Sequence, residues 1–251
     1  MISLWAMLAA PLIGVMLALF GAGGGMLSVP LLHHGFGMPL KTAVVASLWI
    51  VAAVSLVALL RQRAWHQLHV RLLAYFVAGG AIGSWLGAHI GLAISDAAQS
   101  TCFALLVWFV AWWMRYRQQP LRQQQPATCR CLLTLATGIG LGIVTGLLGV
   151  GGGFMMVPAL LWLGVPDYKL AVSHSLVLIV LNAAVASATY FGRVEMQWPL
   201  VLSVAVLAAV GAVIGGIAVR RFSSARLQTA FTMFLLLIGA VMLYDAVRQW
   251  A

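Results

Sequence analysis

Gly21-Ala-Gly-Gly-Gly-Met-Leu-Ser-Val-Pro30 decides the fold, because it returns 128 residues later as Gly149-Val-Gly-Gly-Gly-Phe-Met-Met-Val-Pro158. Each copy ends an apolar run, Leu4–Phe20 or Leu132–Leu148, and opens a short apolar piece. Consecutive glycines break a helix, since they gain most from staying disordered and leave backbone polar groups uncovered. At membrane depth such backbone persists only inside protein or beside a water-filled cavity. Two interrupted apolar segments at corresponding places in two halves are the sequence sign of a transporter's binding site.

The chain has 251 residues, of which 63% are hydrophobic and 7% charged, against about 25% charged in soluble domains. Its runs are long enough to cross a bilayer as helices, so the fold class is an all-α polytopic membrane protein whose partner is the lipid bilayer. The formal charge of +10 sits on arginines clustered between apolar runs, as cytoplasmic anchoring requires. No basic surface domain exists to carry nucleic acid. Cys102 lies in an apolar run and is expected to be a small buried hydrophobe. Cys129 and Cys131 flank Arg130 without a zinc spacing, and neither disulfide, metal nor cofactor is expected. The first apolar run lacks a positive leader, so no cleaved signal peptide is expected.

The repeat organises the chain into residues 1–114, a linker at 115–130 rich in Arg, Gln and Pro, and residues 131–251. The pattern predicts short pieces over Met26–His33 and Phe154–Leu163. It predicts spans over Thr42–Leu60, Leu72–Ile94 and Ala98–Met114, then over Leu170–Tyr190, Pro199–Val219 and Leu227–Val247. The same shift aligns Ser47 with Ser175, Gly83 with Gly211 and Gly87 with Gly215. Corresponding loops differ in charge. Arg61–Arg71 is basic while Phe191–Trp198 has only Arg193 opposed by Glu195, and Arg220–Arg226 is basic while Ser95–Ala97 has only Asp96. Basic short loops stay in the cytoplasm, so corresponding loops fall on opposite sides, as in inverted repeats. Each half would be a re-entrant glycine-broken hairpin plus three spans. That arrangement leaves Lys41, Arg193 and Arg248 outside, whereas eight parallel-repeat spans leave Lys41, Lys169, Arg220, Arg221 and Arg226 outside. Both stay open at this point.

The candidate site follows from the breaks. A helix restarting after Gly23, Gly24 and Gly25, and after Gly151, Gly152 and Gly153, offers free N–H groups and a positive dipole end. That suits an anion without any charged side chain, with Met26 and Phe154 supplying further N–H groups. A P-loop is excluded, because neither copy ends in Gly-Lys-Ser/Thr. Ser175, Asn182 and Thr189 lie seven apart on one helix face beside His174, and Ser47 is the first-half partner of Ser175. Polar groups in a span face the interior and often a pathway. The acids Asp96, Asp167, Glu195 and Asp245 fall in loops or at span ends, which disfavours a cation route. No nucleophile–base set appears, so an enzyme is not expected. The glycine ladders Gly79, Gly83, Gly87, Gly91 and Gly138, Gly142, Gly146 read as faces for close helix packing.

The duplicated Gly-x-Gly-Gly-Gly followed by Val-Pro, the pairs Ser47-Leu48 and Ser175-Leu176, and the loop Gly192-Arg-Val-Glu-Met-Gln-Trp198 resemble the sulfite exporter TauE/SafE family of membrane permeases. The resemblance covers nearly the whole chain. It implies a permease of the bacterial inner membrane for sulfur-containing anions such as sulfite or organosulfonates. The first-half loop Arg63-Ala-Trp-His-Gln-Leu-His69 lacks the glycine seen at Gly192. The alternatives are a membrane-embedded accessory or binding subunit of a larger complex, and a permease for a non-sulfur organic anion. Oligomeric state is left open, with a homodimer as one arrangement.

Overall fold

The computed structural model describes residues 4–20, 23–62, 70–116, 131–148, 153–165, 167–219 and 222–250. Among the described residues all regular structure is helical. The first half holds α1 (Leu4–Phe20), α2 (Gly23–Pro30), a π-helical turn (Leu31–Gly35), α3 (Leu40–Gln62), α4 (Val70–Ala93) and α5 (Asp96–Tyr116). The second holds α6 (Cys131–Leu148), α7 (Gly153–Trp162), α8 (Tyr168–Tyr190), α9 (Trp198–Val219) and α10 (Ser224–Trp250). Only a helix bonds all its own backbone within one segment, which is what an apolar environment demands. The helices begin one to three residues before the expected spans. Their first turn can hold polar residues because its N–H groups are free, so hydropathy places the start too late. The linker over residues 117–130, the loop over 63–69 and residues 149–152 lie outside the described residues.

Five helices, α3, α4, α6, α8 and α9, are long and apolar enough to cross a membrane, and shorter apolar stretches lie at Ala6–Phe20, Ala97–Val110 and Ala225–Leu237. The outer surface agrees. Leu202, Val206, Val210, Ile214 and Ile217 of α9 are each more than half exposed. Their spacing makes one continuous apolar stripe, which lipid can cover and water cannot. Cys102, expected to be buried, lies exposed on α5. In a membrane the outside is also apolar, so hydrophobicity does not report which face points inward.

The short pieces differ from their predicted bounds. α2 begins at Gly23, three residues before Met26, and ends at Pro30. The glycines therefore form its first turn instead of preceding it. Pro30 has no N–H to return to the preceding turn, and the chain widens into the π turn that follows it. α7 begins at Gly153 and runs to Trp162, with Pro158 inside it.

Packing repeats with the sequence. α4 packs on α6 as α9 packs on α1, α4 on α8 as α9 on α3, and α2 on α3 as α7 on α8. The pairs α3 with α8, α5 with α10 and α2 with α7 join corresponding helices. The ladders make the first of these seams. A Cβ at Gly83 would lie 2.9 Å from the Ile139 carbonyl carbon, and one at Gly211 would lie 2.7 Å from the Pro11 carbonyl carbon, the same contact 128 residues on. Likewise Gly87 faces Ile143 and Gly215 faces Val15. Numbers rise together along both seams: Gly138 to Gly146 of α6 pass Phe76 to Ala88 of α4, and Gly14 of α1 passes Ala208 and Ala212 of α9 while Val15 and Ala18 pass Gly215. α6 therefore runs parallel to α4, and α1 parallel to α9. α8 also runs with α4, since Asn182 meets Gly80 and Tyr190 meets Gly91.

Candidate functional site

The helices on either side of the two breaks meet. α2 touches α7. Phe20 and Leu148, the last helical residues before each break, belong to one apolar cluster, joined by Val29 of α2 and by Met155 of α7. α5 and α10 close this cluster from outside through Phe103, Val107, Phe231 and Leu235, and Phe20 lies 5.3 Å from the Phe231 ring. Gly25 is buried, and the Ser28 hydroxyl donates to its carbonyl at 2.9 Å, tying the first turn of α2 to the second.

With Gly23 as the first helical residue, the free N–H groups of α2 fall on Gly23, Gly24 and Gly25. Met26 follows them as the fourth residue of the helix. In α7 the free groups fall on Gly153, Phe154 and the next residue. Gly151 and Gly152 lie outside the described residues, as do the side chains of Met26 and Phe154. The first turn of a helix presents N–H groups outward with the positive dipole end behind them, and that pairing attracts oxyanions.

Ser47 and Ser175 are both fully buried, and each donates its hydroxyl to the carbonyl three residues back, Val44 at 2.8 Å and Val172 at 2.7 Å. In this geometry the proton serves the helix, and donation to a ligand requires rotation about the Cβ–Oγ bond. Val45 and Leu48, which flank Ser47, cluster with Ala183, Ala186 and Tyr190 in the C-terminal half of α8. Ser175 lies at least eight residues back along that helix, about 12 Å. His174 is buried, and its Nδ1–H donates to the Leu170 carbonyl at 2.8 Å.

Asn182 is fully buried, and neither its Oδ1 nor its Nδ2 has a hydrogen-bond partner. It sits against Gly80 of α4, where a Cβ would come within 2.8 Å of the Asn182 carboxamide carbon. Three further polar residues escaped the sequence reading. Tyr190 donates its hydroxyl to the Gly146 carbonyl at 2.9 Å. Gln99 of α5 donates from Nε2 to the Leu147 carbonyl, capping the end of α6 just before the second break, while its Oε1 is buried without a partner. Ser84 of α4 is buried with its hydroxyl unpartnered. The only signal available was position, a polar residue near a span end or inside a glycine ladder, and both read equally well as packing.

Comparison with known proteins agrees with this architecture. The family model described as Sulfite exporter TauE/SafE matches residues 6–242. A probable membrane transporter protein of Xylella fastidiosa (strain 9a5c) is 28% identical over 245 residues, covering 96% of this chain and 93% of the relative. The probable membrane transporter protein YunE of Bacillus subtilis (strain 168) is 22% identical over 258 residues, covering 93% of this chain and 94% of the relative. No solved structure matches.

Proposed function

The chain belongs to the sulfite exporter TauE/SafE family and is a multi-pass membrane transporter, and on that premise we propose that it carries a small sulfur-containing anion, sulfite or an organosulfonate, across the bacterial inner membrane. The observation that carries the reading is the contact between α2 and α7, two short helices opened by glycines at repeat-related positions. The anion is held by N–H groups around Gly23, Gly24 and Gly25 and around Gly151, Gly152, Gly153 and Phe154. Ser47, His174, Ser175 and Asn182 contribute to the route, not to one first ring of contacts. The absence of a mid-span carboxylate among the described residues supports an anion over a cation.

Competition tests the substrate class. In liposomes containing the purified protein, unlabelled sulfite and methanesulfonate should suppress uptake of labelled sulfite, and acetate at equal concentration should not. Suppression by acetate alone would move the substrate to non-sulfur organic anions.

Inverted repeats over residues 1–114 and 131–251, with a cytoplasmic linker at 115–130, form part of the proposal. The helix directions support it. α8 runs with α4 and turns through a seven-residue loop, residues 191–197, into α9. α9, the counterpart of α4, therefore runs against it. Since α1 follows α9 and α6 follows α4, these two counterparts also run in opposite senses. Single cysteines placed at Gln62 and Ser224 in a cysteine-free background should react with impermeant maleimide from the same face. Reaction from opposite faces would restore repeats of the same orientation.

A further inference from the structure

Asn182, Ser84 and Gln99 share three properties. Each is at least nine-tenths buried, each has a side-chain polar atom without a partner, and each has an apolar residue at the repeat-related position. Those mates are Val54, Ala212 and Leu227. Gly80, which makes room for the Asn182 carboxamide, has Ala208 as its mate. The packing is repeated in the two halves but the polarity is not. A symmetric anion clamp gives no reason for this difference.

The three residues are ordered along one seam. Asn182 and Gly80 meet midway along α8 and α4. Ser84 lies one turn further along α4, before Ala88, which clusters with Ala183, Ala186 and Tyr190. Gln99 stands at the end of that seam, on the Leu147 carbonyl. Leu147 and Tyr190 both approach Gly91, and the Lys41 ammonium bonds the Leu92 carbonyl at 3.3 Å. This end is the one remote from the linker, because α6, which starts at the linker, runs parallel to α4 and α8.

A buried carboxamide with neither end satisfied loses the hydrogen bonds that water gave it and is destabilising. A serine can return its hydroxyl to its own helix, but a mid-helix asparagine with both ends free calls for an occupant that donates and accepts at once. Two further orphan hydroxyls, Ser55 Oγ on α3 and Tyr168 Oη at the opposite end of α8, are also buried but lie off this stretch of the α4–α8 seam.

We propose that Asn182, Ser84 and Gln99 line a water-filled branch of the transport route that opens on the face remote from the linker, holding water and the polar part of a passing solute. The proposal rests on the transporter reading, but its test does not require flux. Single cysteines at Asn182, Ser84 and, as the mate, Ala212 are made in a cysteine-free background. Each is exposed to a charged methanethiosulfonate reagent from either face of sealed vesicles. Asn182→Cys and Ser84→Cys should be modified at least tenfold faster than Ala212→Cys, and only from the face remote from the linker. Should Asn182→Cys fail to fold, Ser84→Cys carries the comparison. Rates no faster than that of Ala212→Cys, or access from the linker face, would overturn the branch. Fast labelling in a protein without flux would leave the branch standing and sink the transporter reading alone.

Discussion

Replacing Gly24 or Gly152 with aspartate should abolish measurable binding of sulfite to protein that remains folded and monodisperse, and replacing either with alanine should weaken it about tenfold. A neutral site of backbone N–H groups holds an anion by charge-assisted hydrogen bonds, each contributing about 1.5–3 kcal/mol. About 1.4 kcal/mol is tenfold in affinity, so one displaced donor accounts for the alanine effect. Aspartate adds a like charge where the anion sits, and repulsion compounds the lost donor. Gly24 lies in the first turn of α2, where a side chain does not interrupt the helix. Wild-type affinity in all four variants would make the breaks packing devices.

A large effect on stability is expected at Gly142. A Cβ there would stand 2.8 Å from the Ser84 nitrogen and 2.9 Å from the Gly83 Cα. These are backbone atoms of another helix, so the clash is relieved only by moving α4 and α6 apart. Gly142→Leu should therefore destabilise the protein by at least the 1–3 kcal/mol typical of overpacking, roughly, and lower its thermal midpoint in detergent by several degrees. Gly140 is on the same helix with nothing within 4 Å of an added Cβ, so Gly140→Leu should leave the midpoint unchanged. Equal midpoints for the two variants would mean that the α4–α6 seam does not hold the fold.

Much of this seam was legible beforehand, because glycine every fourth residue has one dominant physical meaning in an apolar helix. Its partner was not legible: nothing in the spacing of Gly79 to Gly91 says that α6 faces it. The breaks were legible for the same reason as the ladders, since three adjacent glycines exceed what packing needs. Their placement within α2 was not, because helix geometry admits glycine freely in a first turn whose N–H groups are unbonded anyway. Ser47 and Ser175 align in sequence, which invited reading them as one pair. In the structure Val45 and Leu48, close to Ser47, cluster with Ala183, Ala186 and Tyr190 of α8. Asn182 stood out as a polar residue in a span, but Gln99 and Ser84 became visible only when the seam placed them on its path and their mates proved apolar.

The central claim is that this chain alone moves an anion, and purified protein in liposomes tests it most directly. Uptake of labelled sulfite down an imposed gradient should saturate with concentration, and it should fall to the level of empty liposomes for the Gly24→Asp, Gly152→Asp double variant. Uptake that never exceeds the empty-liposome rate in the wild type would contradict the account and favour an accessory subunit that needs its complex.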